Sequence, residues 1–147
     1  MTADLATPRE GDEIAPTEVT PEPDQVQRYF SSSAFAPKFF SDEAAAKAQG
    51  LPGRIVPGPL KVGILYGSVA RWLGDAGWVV AVRAAHRRPD LQGRPVTVVG
   101  TVARLYDEGG KRRADLEMQI VNQEGQPSVR GFATVEFWPP QPEASPK

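Results

Sequence analysis

Residues 59–73 read PLKVGILYGSVARWL, and this stretch decides the fold. Its apolar side chains surround most of the helical circumference, which is typical of a buried helix rather than a surface helix. Pro59 suits a first helical turn, and Gly74 stands where the helix is expected to end. The sequence therefore predicts a long buried helix over 59–73, which is too short to cross a bilayer.

Small residues lie along one side of this predicted helix. Gly63, Gly67 and Ala70 follow one another at spacings of four and three residues, so they share one stripe. A stripe without bulky side chains lets another backbone approach closely. We interpret it as the surface that packs on a sheet, and the alternative is a stripe that lines a ligand channel.

The pattern after Gly77 changes from helical to alternating. Four strands are predicted, and turn-forming segments separate them: 78–87, 96–106, 112–122 and 128–138. The third alternates most clearly between apolar and polar residues, so one face of the sheet meets water. Short turns favour an antiparallel meander, with the apolar helix covering its inner face. A long helix wrapped by an antiparallel sheet is the hotdog fold, of the α+β class.

The N-terminal part of the domain is predicted to carry two short helices. The first spans 21–32, and the second spans 42–49 with Ser41 as its cap. Residues 1–18 and 139–147 are rich in Pro and Glu and have no apolar period, so they are expected to be flexible tails. The predicted hotdog domain occupies 19–138.

Composition excludes several classes of function. The 147 residues contain 17 Lys and Arg, 18 Asp and Glu, one His and no Cys. Without Cys there are no disulfides or thiol nucleophiles, and a single His rules out a His-rich metal site, so we expect neither metal nor cofactor. Balanced charge argues against a nucleic-acid partner. No apolar segment of membrane-spanning or signal-peptide type is present, so a cytoplasmic protein without a membrane partner is expected.

The segment from Ser33 to Gly58 carries a resemblance to a known family. Asp42, Ala46 and Gly50 follow Ser33 at the spacing of a family signature, and Gly58 stands where that family opens its central helix. This pattern resembles the MaoC-like acyl-thioester dehydratases and hydratases, which are hotdog proteins. The similarity extends over about 18–137. It implies an acyl-CoA or acyl-carrier thioester as substrate, and pairing of two hotdog subunits as a homodimer or heterodimer.

The catalytic positions of the family are altered in this chain. In the ungapped register, the family's catalytic Asp falls on Phe35, its catalytic His on Phe40, and the residue before the helix-opening Gly is Pro57. Hydration of an enoyl thioester needs groups that accept and return a proton, and phenylalanine does neither. Relatives with this loss are the non-catalytic halves of heterodimers. Several also carry Pro at the position of Pro57, preceded by a small or apolar residue, as Val56 is here.

One part of the family's chemistry does not depend on a side chain. The resemblance implies that the backbone amide of Gly58 polarises the thioester carbonyl, a role suited to the free N–H groups at a helix N-terminus. Pro59 leaves that amide free. The alternative is that Gly58 serves only to turn the chain into the helix. Phe35 and Phe40 either close an unused site or line an apolar pocket.

Other residues were weighed as site candidates. His86 is the only histidine, but a strand-end position beside Arg87 and Arg88 is more typical of a surface residue than of a general base. The two arginines are candidate ligands for the phosphates of coenzyme A, with solvated strand-end residues as the alternative. A hotdog thioesterase is disfavoured because no acidic residue occurs between Glu43 and Asp75.

Three functional hypotheses follow. The first is an acyl-thioester-binding, catalytically degenerate relative of enoyl-CoA hydratases and 3-hydroxyacyl dehydratases, as the non-catalytic subunit of a heterodimer. The second is an active (3R)-hydroxyacyl-CoA dehydratase or enoyl-CoA hydratase that uses other residues. The third is a binding or scaffold protein that no longer meets thioesters.

Overall fold

A computed structural model describes residues 8–139 of the chain. Five strands form one antiparallel sheet: β1 (Glu13–Val19), β2 (Gly77–His86), β3 (Val96–Glu108), β4 (Lys111–Val121) and β5 (Pro127–Phe137). Three helices precede the last four strands: α1 (Pro23–Ser31), α2 (Glu43–Ala48) and α3 (Gly58–Leu73). Short 3-10 turns cover Lys38–Phe40 and Gly74–Ala76. The predicted helix and sheet of a hotdog fold are confirmed.

Helix α3 packs on the inner face of the sheet. Leu65, Val69 and Leu73 lie on one side of the helix and are at most 2% exposed. They meet the inward-facing residues of the central strands, among them Leu116 and Ala133, which pair across β4 and β5. The core is therefore a single layer between one helix and one sheet. Gly74 ends the helix with a φ of 54°, which favours glycine over other residues.

The opposite side of α3 does not follow the prediction. A Cβ placed at Gly63 or Gly67 would meet nothing within 4 Å, and Tyr66 is 51% exposed. The small-residue stripe therefore does not pack against the sheet in the single chain, so our preferred interpretation of it was wrong. The sheet packs instead on the side of the helix that carries Leu65, Val69 and Leu73.

The N-terminal tail was predicted too long. Residues Glu13–Val19 form β1, which pairs with β3, and Ile14 is 3% exposed within the core. The alternation was hard to detect because the register shifts between Ile14 and Thr17, with Pro16 inside the irregularity. Proline is tolerated at such a bulge or on an edge strand. The predicted C-terminal tail lies, except for Pro139, outside the described residues.

The meander prediction holds for only three strands. The order in the sheet is β1-β3-β4-β5-β2, so β2 pairs with β5 and not with β3. The connection over 87–95 is not a hairpin, because it leaves the sheet and contacts the segment before α3, where the Val56 N–H donates to the Asp90 carbonyl at 2.8 Å. Within the described residues, β2 therefore has one free edge.

Helix α2 is capped differently from the prediction. The Asp42 carboxylate accepts from the N–H groups of Ala44 and Ala45 at 2.9 and 3.3 Å. Ser41 instead donates its hydroxyl hydrogen to the Lys38 carbonyl. An Asp cap also places negative charge at the positive end of the helix, which is why it replaces the expected serine.

Candidate functional site

The N-terminus of α3 presents one free backbone N–H. Pro57 occupies the cap, and its carbonyl accepts from the N–H groups of Leu60 and Lys61 at 3.1 and 3.2 Å. Pro59 has no N–H, and no backbone or side-chain acceptor within residues 8–139 takes the Gly58 N–H. Unpaired N–H groups at a helix N-terminus carry partial positive charge. Gly58 is therefore suited to donate to a carbonyl oxygen or an oxyanion.

Gly58 is a glycine because of its surroundings, not because of its φ angle. Gly58 is absent from the glycines with positive φ, so its backbone conformation is open to other residues. A Cβ at this position would lie 3.2 Å from Nε2 of His86 and 3.4 Å from its Cε1. A side chain at this position would therefore require the imidazole to move.

His86 is exposed, as the sequence predicts. What the sequence did not indicate is the neighbour of its imidazole, which lies at the start of α3 beside Gly58. His86 pairs with Val129 and shares the inner face of the sheet with Val82 and Ala84, which pair with Ala133 and Gly131. Burial, and then the charge of Lys61, lower the pKa of His86 below its ordinary value of 6.5. The imidazole is therefore neutral at neutral pH and able to accept a proton.

A buried ion pair lies next to this contact. Lys61, in the first turn of α3, places Nζ 2.9 Å from Oδ2 of Asp90, and the two side chains are 4% and 5% exposed. The same Nζ donates to the Arg88 carbonyl at 2.9 Å. Lys61 thus fixes the segment after β2 to the start of α3. The carboxylate of Asp90 faces Lys61, and the imidazole of His86 lies beside Gly58 in the same helix turn.

Gln92 connects two parts of the site. Its Nε2 donates to the carbonyls of Phe40 and Ile55 at 2.8 and 2.9 Å. The backbone of Phe40 is therefore held beside the segment that leads into α3 through Val56 and Pro57, both of which are buried. The backbone of Phe40 therefore lies near the chain segment that contains Val56, Pro57 and Gly58.

The two phenylalanines differ in their surroundings. Phe40 is half-buried and packs against Phe39 and Phe30, with ring centroids 4.4 and 5.1 Å away. Phe35 is 75% exposed, and its backbone is held in a tight turn by the Ser33 hydroxyl. In the single chain Phe35 therefore fills no buried volume, because the turn carries it outward. The expectation that both rings occupy the space of the family's Asp and His fails for Phe35.

Arg87 and Arg88 follow β2 directly. Their backbone N–H groups donate to the Ser128 carbonyl at 2.7 and 3.2 Å, and both residues are exposed. Neither guanidinium forms an ion pair with the rest of the described chain. Both arginines therefore stand free beside His86, where they are available to an anionic ligand.

Two other features lie away from this end of α3. A solvent-open depression of about 470 Å³ on the outer face of the sheet is lined by residues such as Val99, Glu117 and Phe132 and by none of the predicted site residues. Elsewhere, buried Glu136 binds Trp78 and Arg113. Burial alone would raise the pKa of Glu136, but these hydrogen bonds and the charges of Lys111 and Arg113 hold it below its ordinary value. Glu136 is thus a paired structural carboxylate.

The described residues offer neither a metal site nor a membrane-spanning helix. Over residues 8–139, no three His, Cys, Asp or Glu side chains cluster in a way that would hold a metal ion. No helix in the same range is long and apolar enough to cross a membrane.

The lowered pKa of His86 predicts a pH dependence of stability. The unfolded chain takes up the proton near pH 6.5, whereas the folded chain resists it until a lower pH. The free energy of unfolding is therefore expected to fall as the pH drops below about 6.5. Urea unfolding of the wild type and His86→Gln between pH 8 and 5 measures this, and the variant should show the smaller fall. Equal falls in both proteins would contradict the prediction.

Comparison with solved structures identifies the fold. The (R)-hydratase from A. caviae involved in PHA biosynthesis matches with a TM-score of 0.79 and 23% identity, over 88% of this chain and 96% of that chain. The ChsH1-ChsH2 complex from Mycobacterium tuberculosis matches with a TM-score of 0.78 and 16% identity, over 90% of this chain and 100% of that chain. The HadBC (3R-hydroxyacyl-ACP dehydratase) complex from the same organism matches with a TM-score of 0.74 and 18% identity, over 90% and 99%.

The sequence comparisons give a different result. No family model matches the sequence, and no curated protein matches it. The likeness therefore rests on the course of the backbone, at identities too low to establish a shared activity. The chain has the hotdog fold found in MaoC-like dehydratases and (R)-hydratases.

Proposed function

We propose that the protein is a MaoC-like hotdog subunit that binds an acyl thioester, such as an acyl-CoA, and lacks the family's catalytic Asp and His. The free Gly58 N–H at the start of α3 is the observation that carries this proposal. It donates to the thioester carbonyl, which is the group whose oxygen gains charge when the α-carbon reacts. A carbonyl site made of backbone survives the replacement of the family's side chains.

The surroundings of Gly58 suit the rest of such a ligand. Val56 and Pro57 are apolar and buried directly before Gly58, and Gln92 holds the backbone of Phe40 near the same segment. Arg87 and Arg88 supply exposed, unpaired positive charge next to the same end. Arginine is the usual partner of phosphate groups, of which coenzyme A has several. An apolar wall and a cationic rim together match an acyl chain and a phosphorylated carrier.

The free edge of β2 supports a paired assembly. An edge strand with unpaired backbone groups is a template for another strand. Structures with the same fold include the ChsH1-ChsH2 and HadBC complexes, whose names give two kinds of subunit. We propose that β2 pairs with a second hotdog subunit, either a copy of this chain or a different one, in the cytoplasm. Native mass measurement with the neighbouring gene product co-expressed distinguishes the two.

Binding to butyryl-CoA tests the proposal directly. Isothermal titration of the full chain, alone and with a co-expressed hotdog partner, is expected to show saturable binding. Arg87→Gln/Arg88→Gln should weaken binding of butyryl-CoA about three- to tenfold, because each exposed charge contact contributes up to about 1 kcal/mol. Butyryl-pantetheine, which lacks the nucleotide phosphates, should bind the wild type and the double variant equally.

Arg71→Gln serves as the matched control for that titration. Arg71 is exposed in the last turn of α3, at the opposite end from Gly58. Its replacement should leave the affinity for butyryl-CoA unchanged. Absence of any saturable binding, with and without the partner, would refute the proposed function and favour a scaffold protein.

A further inference from the structure

The contact between His86 and Gly58 joins a proton carrier to a carbonyl site. Nε2 is the imidazole atom that comes nearest to the Cβ position of Gly58, at 3.2 Å. The residues at the family's catalytic positions, Phe35 and Phe40, carry no titratable group. Any chemistry at the Gly58 amide must therefore use a group from another element, and the end of β2 supplies one.

We propose that His86 is a catalytic residue that hydrates an α,β-unsaturated acyl thioester, and dehydrates the 3-hydroxyacyl product, by carrying a single proton. This inference rests on the proposed binding of a thioester carbonyl by Gly58. It assigns an activity to a chain whose family-type acid and base are absent, and it takes the catalytic residue from β2 instead of from the loop before α2.

The reaction balances with one imidazole. In hydration, the water oxygen forms a bond to the β-carbon, and neutral Nε2 takes one proton of that water. The π electrons of the enoyl group move onto the thioester oxygen, where the Gly58 N–H stabilises the enolate. The imidazolium then returns the same proton to the α-carbon as the carbonyl reforms. Both additions come from the side of His86, so the hydrogen and the hydroxyl are expected to add to one face.

The charged groups around His86 keep it in the neutral form. Partial burial of the imidazole lowers the pKa of His86, and the charge of Lys61, from the first turn of α3, lowers it further. Asp90 faces Lys61 from the connection after β2 and is held in the ion pair. Arg87 and Arg88 follow on the same strand end, and neither titrates at neutral pH. No free carboxylate in the described chain contacts the imidazole to hold it protonated.

The backbone that follows His86 is held in place by two hydrogen bonds. The Arg87 N–H bonds the Ser128 carbonyl at 2.7 Å, which holds the end of β2 against β5. Lys61 holds the Arg88 carbonyl two residues further along. Lys61 is in this sense a positioning residue, and His86 is the residue that touches the reacting atoms.

Hydration of crotonyl-CoA by His86→Gln tests the inference. Loss of the enoyl absorbance is followed for the full chain, with the proposed partner when one co-purifies. A general acid–base group contributes about 10²–10⁴-fold in rate, so His86→Gln should lose at least 100-fold. Its affinity for butyryl-CoA, which cannot react, should stay within about threefold of the wild type. The wild-type rate should rise with pH through a pKa below 6.5 and then level off.

Arg83→Gln is the matched control on the same strand. Arg83 pairs with Phe132 and its guanidinium lies 5.7 Å over that ring, on the outer face of β2. The Arg83→Gln variant should hydrate crotonyl-CoA at the wild-type rate. Circular dichroism should show that Arg83→Gln and His86→Gln are both folded. The product of hydration in D₂O shows on which faces the deuterium and the hydroxyl group were added. Addition of both to the same face supports the single-proton route. A wild type that binds butyryl-CoA but leaves crotonyl-CoA unchanged, or equal rates in wild type and His86→Gln, overturns the inference while the proposed function stands.

Discussion

Replacing Lys61 with methionine is expected to lower the free energy of unfolding by about 3–5 kcal/mol. The substitution leaves the Asp90 carboxylate, which is 5% exposed, without its cation at 2.9 Å. A buried charge without a partner costs far more than a lost contact, because water cannot reach it to compensate. It also removes the donor to the Arg88 carbonyl. Urea unfolding monitored by circular dichroism measures the change.

Two variants control the Lys61 result. Lys47→Met removes the cation of an exposed pair with Glu43, in which the side chains are 64% and 65% exposed, and should change stability by less than about 0.5 kcal/mol. Lys61→Met/Asp90→Asn removes the uncompensated charge and should recover part of the loss. A loss in Lys61→Met no larger than that in Lys47→Met would show that the buried pair does not matter for stability.

Leu65→Ala is expected to cost about 2–5 kcal/mol of unfolding free energy. Leu65 is 0% exposed, and it is the side chain of α3 that reaches toward Gly131 in β5. Truncation leaves a cavity between helix and sheet that neither element can close without breaking its backbone hydrogen bonds. The same urea titration measures the loss. The m-value, which is the dependence of the unfolding free energy on urea concentration, should be equal in the variant and the wild type.

A second substitution makes this prediction sharper. A Cβ at Gly131 would lie 2.8 Å from Cδ1 of Leu65, so Gly131→Ala alone should destabilise by about 1–3 kcal/mol through overpacking. In Leu65→Ala/Gly131→Ala the clash is gone and the methyl group fills part of the cavity, so the two losses should not add. Gly63→Ala on the exposed side of α3, where nothing lies within 4 Å, should be neutral or stabilising. Strict additivity would contradict the packing described for α3.

Much of the fold could be predicted from local sequence patterns. The predicted central helix 59–73 begins one residue late, since α3 is Gly58–Leu73, and the four predicted strands all exist with ends shifted by a few residues. Apolar residues recur regularly along these elements because each element buries one face against a common core. The β1 strand lacks such a period, since Ile14 is its one core side chain and a register shift interrupts it.

The order of the strands could not be predicted in the same way. A meander was expected because the turns between β3, β4 and β5 are short, and those three strands do follow it. The place of β2 depends on the 87–95 connection, whose partners Val56 and Lys61 are distant in sequence. Local patterns carry no information about such long-range contacts.

The site was predicted in part. Val56, Pro57, Gly58 and the Phe40 backbone come together, whereas Phe35 points outward at 75% exposure. His86 is exposed as expected, but its place beside Gly58 depends on the pairing of β2 with β5, which is distant in sequence. One signal was available: Lys61 is a cation in the first turn of a largely apolar helix, and a buried lysine requires a partner. A search for that partner leads to Asp90 and so to the segment after His86.

The Gly58 amide has an evolutionary consequence. A main-chain donor cannot be erased by ordinary missense change, because every residue except proline brings the same N–H. Under the proposed function, a protein can lose the catalytic acid and base of the family during evolution and still bind the thioester carbonyl. A residue on a neighbouring strand that already reaches the helix end can then evolve into a new catalytic residue. A protein that has lost the family's catalytic side chains can in this way regain an activity.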